Sequence, residues 1–279
     1  MRSVLWAAFF PALLYAAPGA ADALAIVRPV ISQMDGGAPE PAGFEHAAGE
    51  TLFFTCRIAG YGKTAEQQVH LTYSVQAFDP KGVPLGELYK NEIAQEVTAQ
   101  DKEWLPKIET EVAIPPLVAS GTYKIVVKAE DVVAKTSAVL EVPFRVRGHE
   151  VAASDTLVVR NFRFLRREDD AQALEKPVYK PGDTVWAKFD IIGYRYGAGN
   201  KVDVSYVISI LGAGGKVLWT QPEPAVEESD SFYPKRYVAA DFNINLQGDI
   251  RPGAYTIAVA VKDAIGNQTG EGKYTFTVE

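Results

Sequence analysis

The chain of 279 residues is poor in the side chains that do chemistry, with one cysteine, three histidines and two methionines. A lone Cys56 excludes an intrachain disulfide and any cysteine-rich metal cluster. His46, His70 and His149 lie far apart, and no H-x-x-x-H, C-x-x-C or mixed ligand spacing occurs. A G-x-S-x-G elbow is also missing. The paired carboxylates Glu227–Glu228 and Asp169–Asp170 sit in charged loops, where carboxyl groups keep ordinary acidity and make poor general acids. The expectation is a protein that is not an enzyme and has no cofactor.

Positive charge and long apolar runs are scarce as well. Against 35 acidic residues stand 28 basic ones, a formal net charge of -7 that disfavours a nucleic-acid partner. The one dense basic cluster, Arg160, Arg163, Arg166 and Arg167, runs straight into Glu168, Asp169 and Asp170 and reads as a solvated strand end. No segment after the N-terminus approaches the roughly 18 apolar residues of a membrane helix. The N-terminal run Val4–Leu14 is preceded by Arg2 and followed by Ala21-Asp22-Ala23, the pattern of an export signal. Residues 1–23 are therefore set aside, and a secreted or periplasmic location without a membrane span is expected. Export usually brings paired cysteines, which leaves Cys56 as either a reactive thiol or a buried small hydrophobe.

What is abundant is repetition. At a spacing of about 132 residues, Gly49-Glu50-Thr51-Leu52 aligns with Gly182-Asp183-Thr184-Val185, and Ile58, Gly60, Tyr61, Ala65, Val69, Tyr73 and Gly82 fall on Ile191, Gly193, Tyr194, Ala198, Val202, Tyr206 and Gly215. Further on, Gly121-Thr122-Tyr123 matches Gly253-Ala254-Tyr255, Asp131 matches Asp263, and Phe144 and Val146 match Phe276 and Val278. The expected division is a module over 24–148, a linker over 149–153 and a second module over 154–279.

Each module reads as all-β. In the second, Leu157–Leu165, Thr184–Ile192, Val202–Leu211, Lys216–Trp219, Tyr237–Ile244, Tyr255–Val261 and Lys273–Val278 are β-branched and aromatic runs bounded by Gly, Pro, Asn and Asp. In "YTIAVAV", Tyr255, Ile257, Val259 and Val261 share one face, as do Tyr123, Ile125, Val127 and Ala129 in the first copy. Seven short strands per module predict two tandem antiparallel sandwiches with Greek-key connections. "IRPGAYTIAVAVKD" (Ile250–Asp263) resembles the corner before strand F of fibronectin type III and other immunoglobulin-like domains, which implies a buried structural tyrosine at Tyr255 and Tyr123. "VYKPGDTVWAKFDI" (Val178–Ile191) is similar, over a dozen residues, to a strand opening of macroglobulin-type sandwiches. That family's thioester motif is not present, so protease trapping is not implied. Such folds specify architecture better than function.

The repeat also sorts the candidate sites. Cys56 aligns with Phe189, which makes it a structural, inert core thiol. "GYRYGAGN" (Gly193–Asn200) aligns with "GYGKTAEQ": Gly193 and Tyr194 are shared and structural, whereas Arg195 and Tyr196 belong to the second copy alone and are candidate binding residues. Trp104 and the pair Phe232–Tyr233, each shortly before Pro-Lys, are aromatic candidates either for contact with a protein or glycan or for stapling a loop. Trp186 and Trp219 lie in strands and are expected in the core. "LGAGGK" (Leu211–Lys216) and "FDPKGV" (Phe78–Val83) fall between strands and read as hairpins, since a phosphate cradle needs a following helix. Asp263, Asn267 and Glu271 are oxygen donors without a calcium-loop spacing, and Asn267-Gln268-Thr269 is a formal glycosylation sequon. The function expected is a non-enzymatic binding or structural module that meets a protein or a cell-surface glycan, or that serves as an accessory subunit.

Overall fold

The computed structural model describes residues 23–98, 100–101 and 103–279, and the expected export signal lies outside them apart from Ala23. The first part of the chain forms β1 (Ala25–Ser32), β2 (Glu45–Ala47), β3 (Thr51–Ala59), β4 (Gln68–Phe78), β5 (Tyr89–Glu96), β6 (Lys107–Ala113), β7 (Gly121–Asp131) and β8 (Thr136–Arg147). The second part forms β9 (Val158–Leu165), β10 (Val178–Tyr179), β11 (Thr184–Ile192), β12 (Val202–Leu211), β13 (Val217–Thr220), β14 (Ala225–Ser229), β15 (Val238–Asn245), β16 (Gly253–Asp263) and β17 (Gln268–Val278). The only helical pieces among the described residues are two 3-10 turns, Ala198–Asn200 and Ala213–Gly215.

Period-two alternation drives the assembly. In β3, Leu52, Phe54, Cys56 and Ile58 are buried and the residues between them are not. β4 buries Val69, Leu71, Tyr73, Val75 and Ala77 in the same way. One sandwich closes the sheet β1-β3-β6 on β2-β8-β7-β4-β5; the other closes β9-β11-β15 on β10-β17-β16-β12-β13, with β14 also on β12. Each encloses its own hydrophobic cluster, and a fully buried Leu, Ile or Phe there contributes about 1.5–3 kcal/mol.

The all-β sandwich fold is as expected, but the strands number eight and nine rather than seven and seven. β2 and β10 are short segments that pair parallel with β8 and β17, too short for alternation to reveal them. β14 follows two prolines and carries acidic residues, so its sequence reads as a loop. The corner tyrosines recur: Tyr123 Oη donates to the Ala119 carbonyl and Tyr255 Oη to the Arg251 carbonyl, each at 2.7 Å. Tyr123 is buried, whereas Tyr255 is only partly so. The loops beside Tyr123 are covered by the second sandwich, and the corresponding end of the second sandwich has no such cover among the described residues.

Burial pushes the Cys56 thiol up to about 12, so almost no thiolate exists at neutral pH. A bulky thiol reagent should leave the native protein unlabelled and react fully after denaturation. Rapid native labelling, read by mass spectrometry, would refute this.

Candidate functional site

At the top of each sandwich the chain leaves β3 or β11 through a Gly-Tyr pair, and a buried aspartate fixes the loop. Asp131 Oδ1 accepts from the amides of Val133 and Ala134, while Oδ2 accepts from Gly62 N–H. Asp263 does the same with Ile265, Gly266 and Arg195, and takes a further bond from Gln268 Nε2. Gly193 has a φ of 80°, and a Cβ there would collide with the Thr156 carbonyl, so only glycine fits. Tyr194 is buried and donates to the Lys235 carbonyl at 2.6 Å, as Tyr61 donates to the Trp104 carbonyl at 2.7 Å. Desolvation in this seat drives the Tyr194 hydroxyl well above the usual tyrosine range.

The second-copy residues are placed differently from one another. The Arg195 side chain is exposed while its amide is held by Asp263. Tyr196 is exposed and edge-on to Tyr194, and its hydroxyl shares the Lys235 carbonyl. The matched carbonyls of Trp104 and Lys235 move the repeat by three residues from the pairing of Trp104 with Phe232. Trp104 is half-buried against Tyr61 and the first core, which makes it a staple for its loop. Phe232 is exposed, and only its carbonyl is held, by Asn200.

Of the two roles the sequence leaves open for Tyr233, partner contact or staple, its burial does not suit exposed contact. It is buried among the apolar side chains of the first sandwich, although it belongs to the second. Its hydroxyl donates to Asp79 Oδ2 at 2.9 Å, and Arg236 Nη2 reaches the same oxygen at 2.7 Å. Asp79 Oδ1 accepts from the Lys81 and Val83 amides, each at 2.8 Å, so the buried carboxylate is fully paired. Burial alone would raise its pKa, but the Val83, Tyr233 and Lys81 hydrogen bonds and the Arg236 guanidinium outweigh it and hold the group below the ordinary carboxylate range.

Beside this latch, His149 Nε2 meets Asp190 Oδ2 at 2.7 Å, and its ring lies 4.9 Å from that of Tyr237. Asn161 Nδ2 donates to Asp190 Oδ2 at 2.7 Å and to the Glu150 carbonyl at 3.0 Å, which ties the connecting segment to β9 and β11. A cleft of about 340 Å³ opens here between the sandwiches, lined by Lys81, His149, Tyr194, Tyr196, Arg236 and Tyr237 among others. The junction thus gathers Tyr196 and, beneath it, Tyr233, and leaves Trp104 at the far end of the first sandwich. Its key residues Asp79, His149, Asp190 and Arg236 were missed. The available signal was the difference between copies, since Asp190 stands opposite Arg57 and Asp79 opposite Gly212 in the repeat.

The other motifs resolve locally. Trp219 is not in the core: it lies exposed on β13, which the narrower facing sheet leaves uncovered. "LGAGGK" and "FDPKGV" are turns that lead out of β12 and β4. The Asp263 oxygens serve backbone and Gln268 donors, and among the described residues no three His, Cys, Asp or Glu side chains converge on a metal position. No described helix is long and apolar enough to cross a membrane.

No family model matches the chain, and no curated protein matches it. Among solved structures it is similar to the C-terminal domain of the AgI/II polypeptide BspA of Streptococcus agalactiae, at 14% identity over 90% of this chain and 100% of that one, with a TM-score of 0.33. At that distance the function has to be argued from the residues themselves.

Asp79→Asn should leave Arg236 without its counter-charge and destabilise the protein by about 2–3 kcal/mol, between the values for exposed and fully buried pairs. Tyr233→Phe should cost about 1.5 kcal/mol, a hydrogen bond to a charged acceptor. Both should speed hydrogen exchange at Lys81 and Val83, in the first sandwich. Because the folded Asp79 pKa is depressed, its stabilisation is complete above the unfolded carboxylate value of about 3.9 and is lost as pH falls through the folded one. Chemical denaturation should therefore give a wild-type advantage over Asp79→Asn that is constant from about pH 5 upward and collapses only in stronger acid.

Proposed function

We propose that this protein is a non-enzymatic extracytoplasmic binding or structural module, two immunoglobulin-like domains over 24–148 and 154–279 held at a set angle to present a surface to a protein partner. The observation that carries this reading is the Asp79–Tyr233–Arg236 latch. An aromatic side chain of one sandwich seated in the apolar cluster of the other resists hinge motion, which suits a presenting scaffold. Support also comes from where the polar groups go. Asp79, Asp131 and Asp263 are occupied by backbone and latch donors, and His46 is buried against Glu40. The export-type N-terminus supports the compartment.

The test is affinity capture from an envelope extract with the full chain immobilised. A stoichiometric protein partner that survives enzymatic deglycosylation of the extract is the expected result, and capture lost on deglycosylation would move the reading to a glycan ligand. Turnover of ester, peptide or glycoside substrates that His149→Ala abolishes would refute the non-enzymatic reading.

A further inference from the structure

Exposed large apolar side chains are unevenly distributed. Of the eleven among the described residues, five lie on or just after one sheet edge of the second sandwich: Val217, Leu218, Trp219, Val226 and Phe232. β13 and β14 pair with β12 on one side, and among the described residues no strand pairs with the other. The same edge in the first sandwich is β5, "YKNEIAQE", where Lys90, Glu92 and Glu96 guard the open ladder in the usual way. In β13, "VLWT", there is no charge at all, and Val217, Leu218 and Trp219 are 56%, 53% and 42% exposed.

We propose that β13 is a self-association edge, at which a second copy of this chain adds its own β13 antiparallel about a two-fold axis near Trp219. Charge complementarity picks this occupant. Lys216 precedes the strand and Glu223 follows it, and neither makes an ion pair among the described residues. An antiparallel copy brings Lys216 of each chain to the Pro222–Glu223 end of the other, so opposite charges meet twice. A parallel copy would set like against like. The Gln221 amide donates to the Ile208 carbonyl at 2.8 Å, so alternation turns the Trp219 amide toward β12 and the Thr220 amide to the open side, and the bulge at Leu218 ends that alternation. The Thr220 amide then faces the second copy, and the two Trp219 side chains face each other across the axis, a favourable cross-strand aromatic pair.

The contact closes rather than propagates. A bulge in the β12–β13 pairing and Pro222 confine it to a few residues, while the opposite edge of that sheet is the two-residue β10. The pairing goes beyond the binding-module reading and stands independently of which partner that module meets.

Sedimentation equilibrium of the full chain from micromolar to millimolar concentration tests it. A monomer–dimer equilibrium is expected. Leu218→Lys should weaken it at least about tenfold, as for an apolar residue buried in an interface, with unchanged far-UV circular dichroism. Lys216→Glu should weaken it and Lys216→Glu/Glu223→Lys should restore it. Trp219→Cys should form a disulfide-linked dimer on mild oxidation, whereas the exposed control Val139→Cys should not. A chain monomeric throughout, a dimer indifferent to Leu218→Lys, or equal cross-linking at position 139 overturns the proposal. Loss of heterologous capture in Leu218→Lys without any dimer would overturn it too, and would assign the patch to another protein while leaving the module reading intact.

Discussion

A carboxylate taken out of water must be paired, and in this protein that requirement links the two halves. Asp79 sits at the turn leaving β4, where the Lys81 and Val83 amides satisfy one oxygen. The other oxygen is satisfied only by Tyr233 and Arg236, from the far half of the chain. Desolvating a charge costs several kcal/mol unless its partners are well placed. The turn therefore has its full set of bonds only when the sandwiches dock in one relative orientation. The burial of Tyr123, the position of the connecting segment and the cleft beside His149 all depend on that orientation.

The repeat acts as an internal comparison that separates folding needs from individual features. Both copies keep the Gly-Tyr exit, the buried aspartate that gathers three backbone amides, and the corner tyrosine bonded four residues back. They diverge at surfaces. Arg57 becomes Asp190, which anchors His149; the charged β5 becomes the split pair β13 and β14; and the turn at Asp79 becomes a glycine-rich one. Residues that depart from the shared pattern are thus the ones that make the copies do different work.

Much of the fold was legible because a half-buried strand writes its alternation into the chain. "YTIAVAV" carries it, and on its inner face Ile257, Val259 and Val261 are buried while Tyr255 is partly so. The failures have physical causes. Alternation says which face of the sheet Trp219 occupies but not whether a facing strand covers it, and the three-stranded facing sheet is too narrow to do so. Tyr233 looks like any loop aromatic because its acceptor lies 154 residues away. β2 and β10 are held by parallel pairing to the last strand of each sandwich rather than by any apolar pattern of their own. The candidate site was legible only at Tyr196 and Tyr233, since a junction depends on which surfaces meet and one module's sequence does not encode that.

The run from Gly148 to Thr156 is seated at both ends by backbone against backbone: a side chain at Gly148 would strike the Val118 carbonyl, and one at Gly193 would strike that of Thr156. With its ends fixed, this stretch works as a ruler rather than a hinge. Val151, Ala152, Ala153 and Ser154 also form part of the cleft wall. An inserted residue would have nowhere to go but outward as a bulge, so the length of the connection sets the bore of the opening between the two sandwiches without touching either hydrophobic cluster.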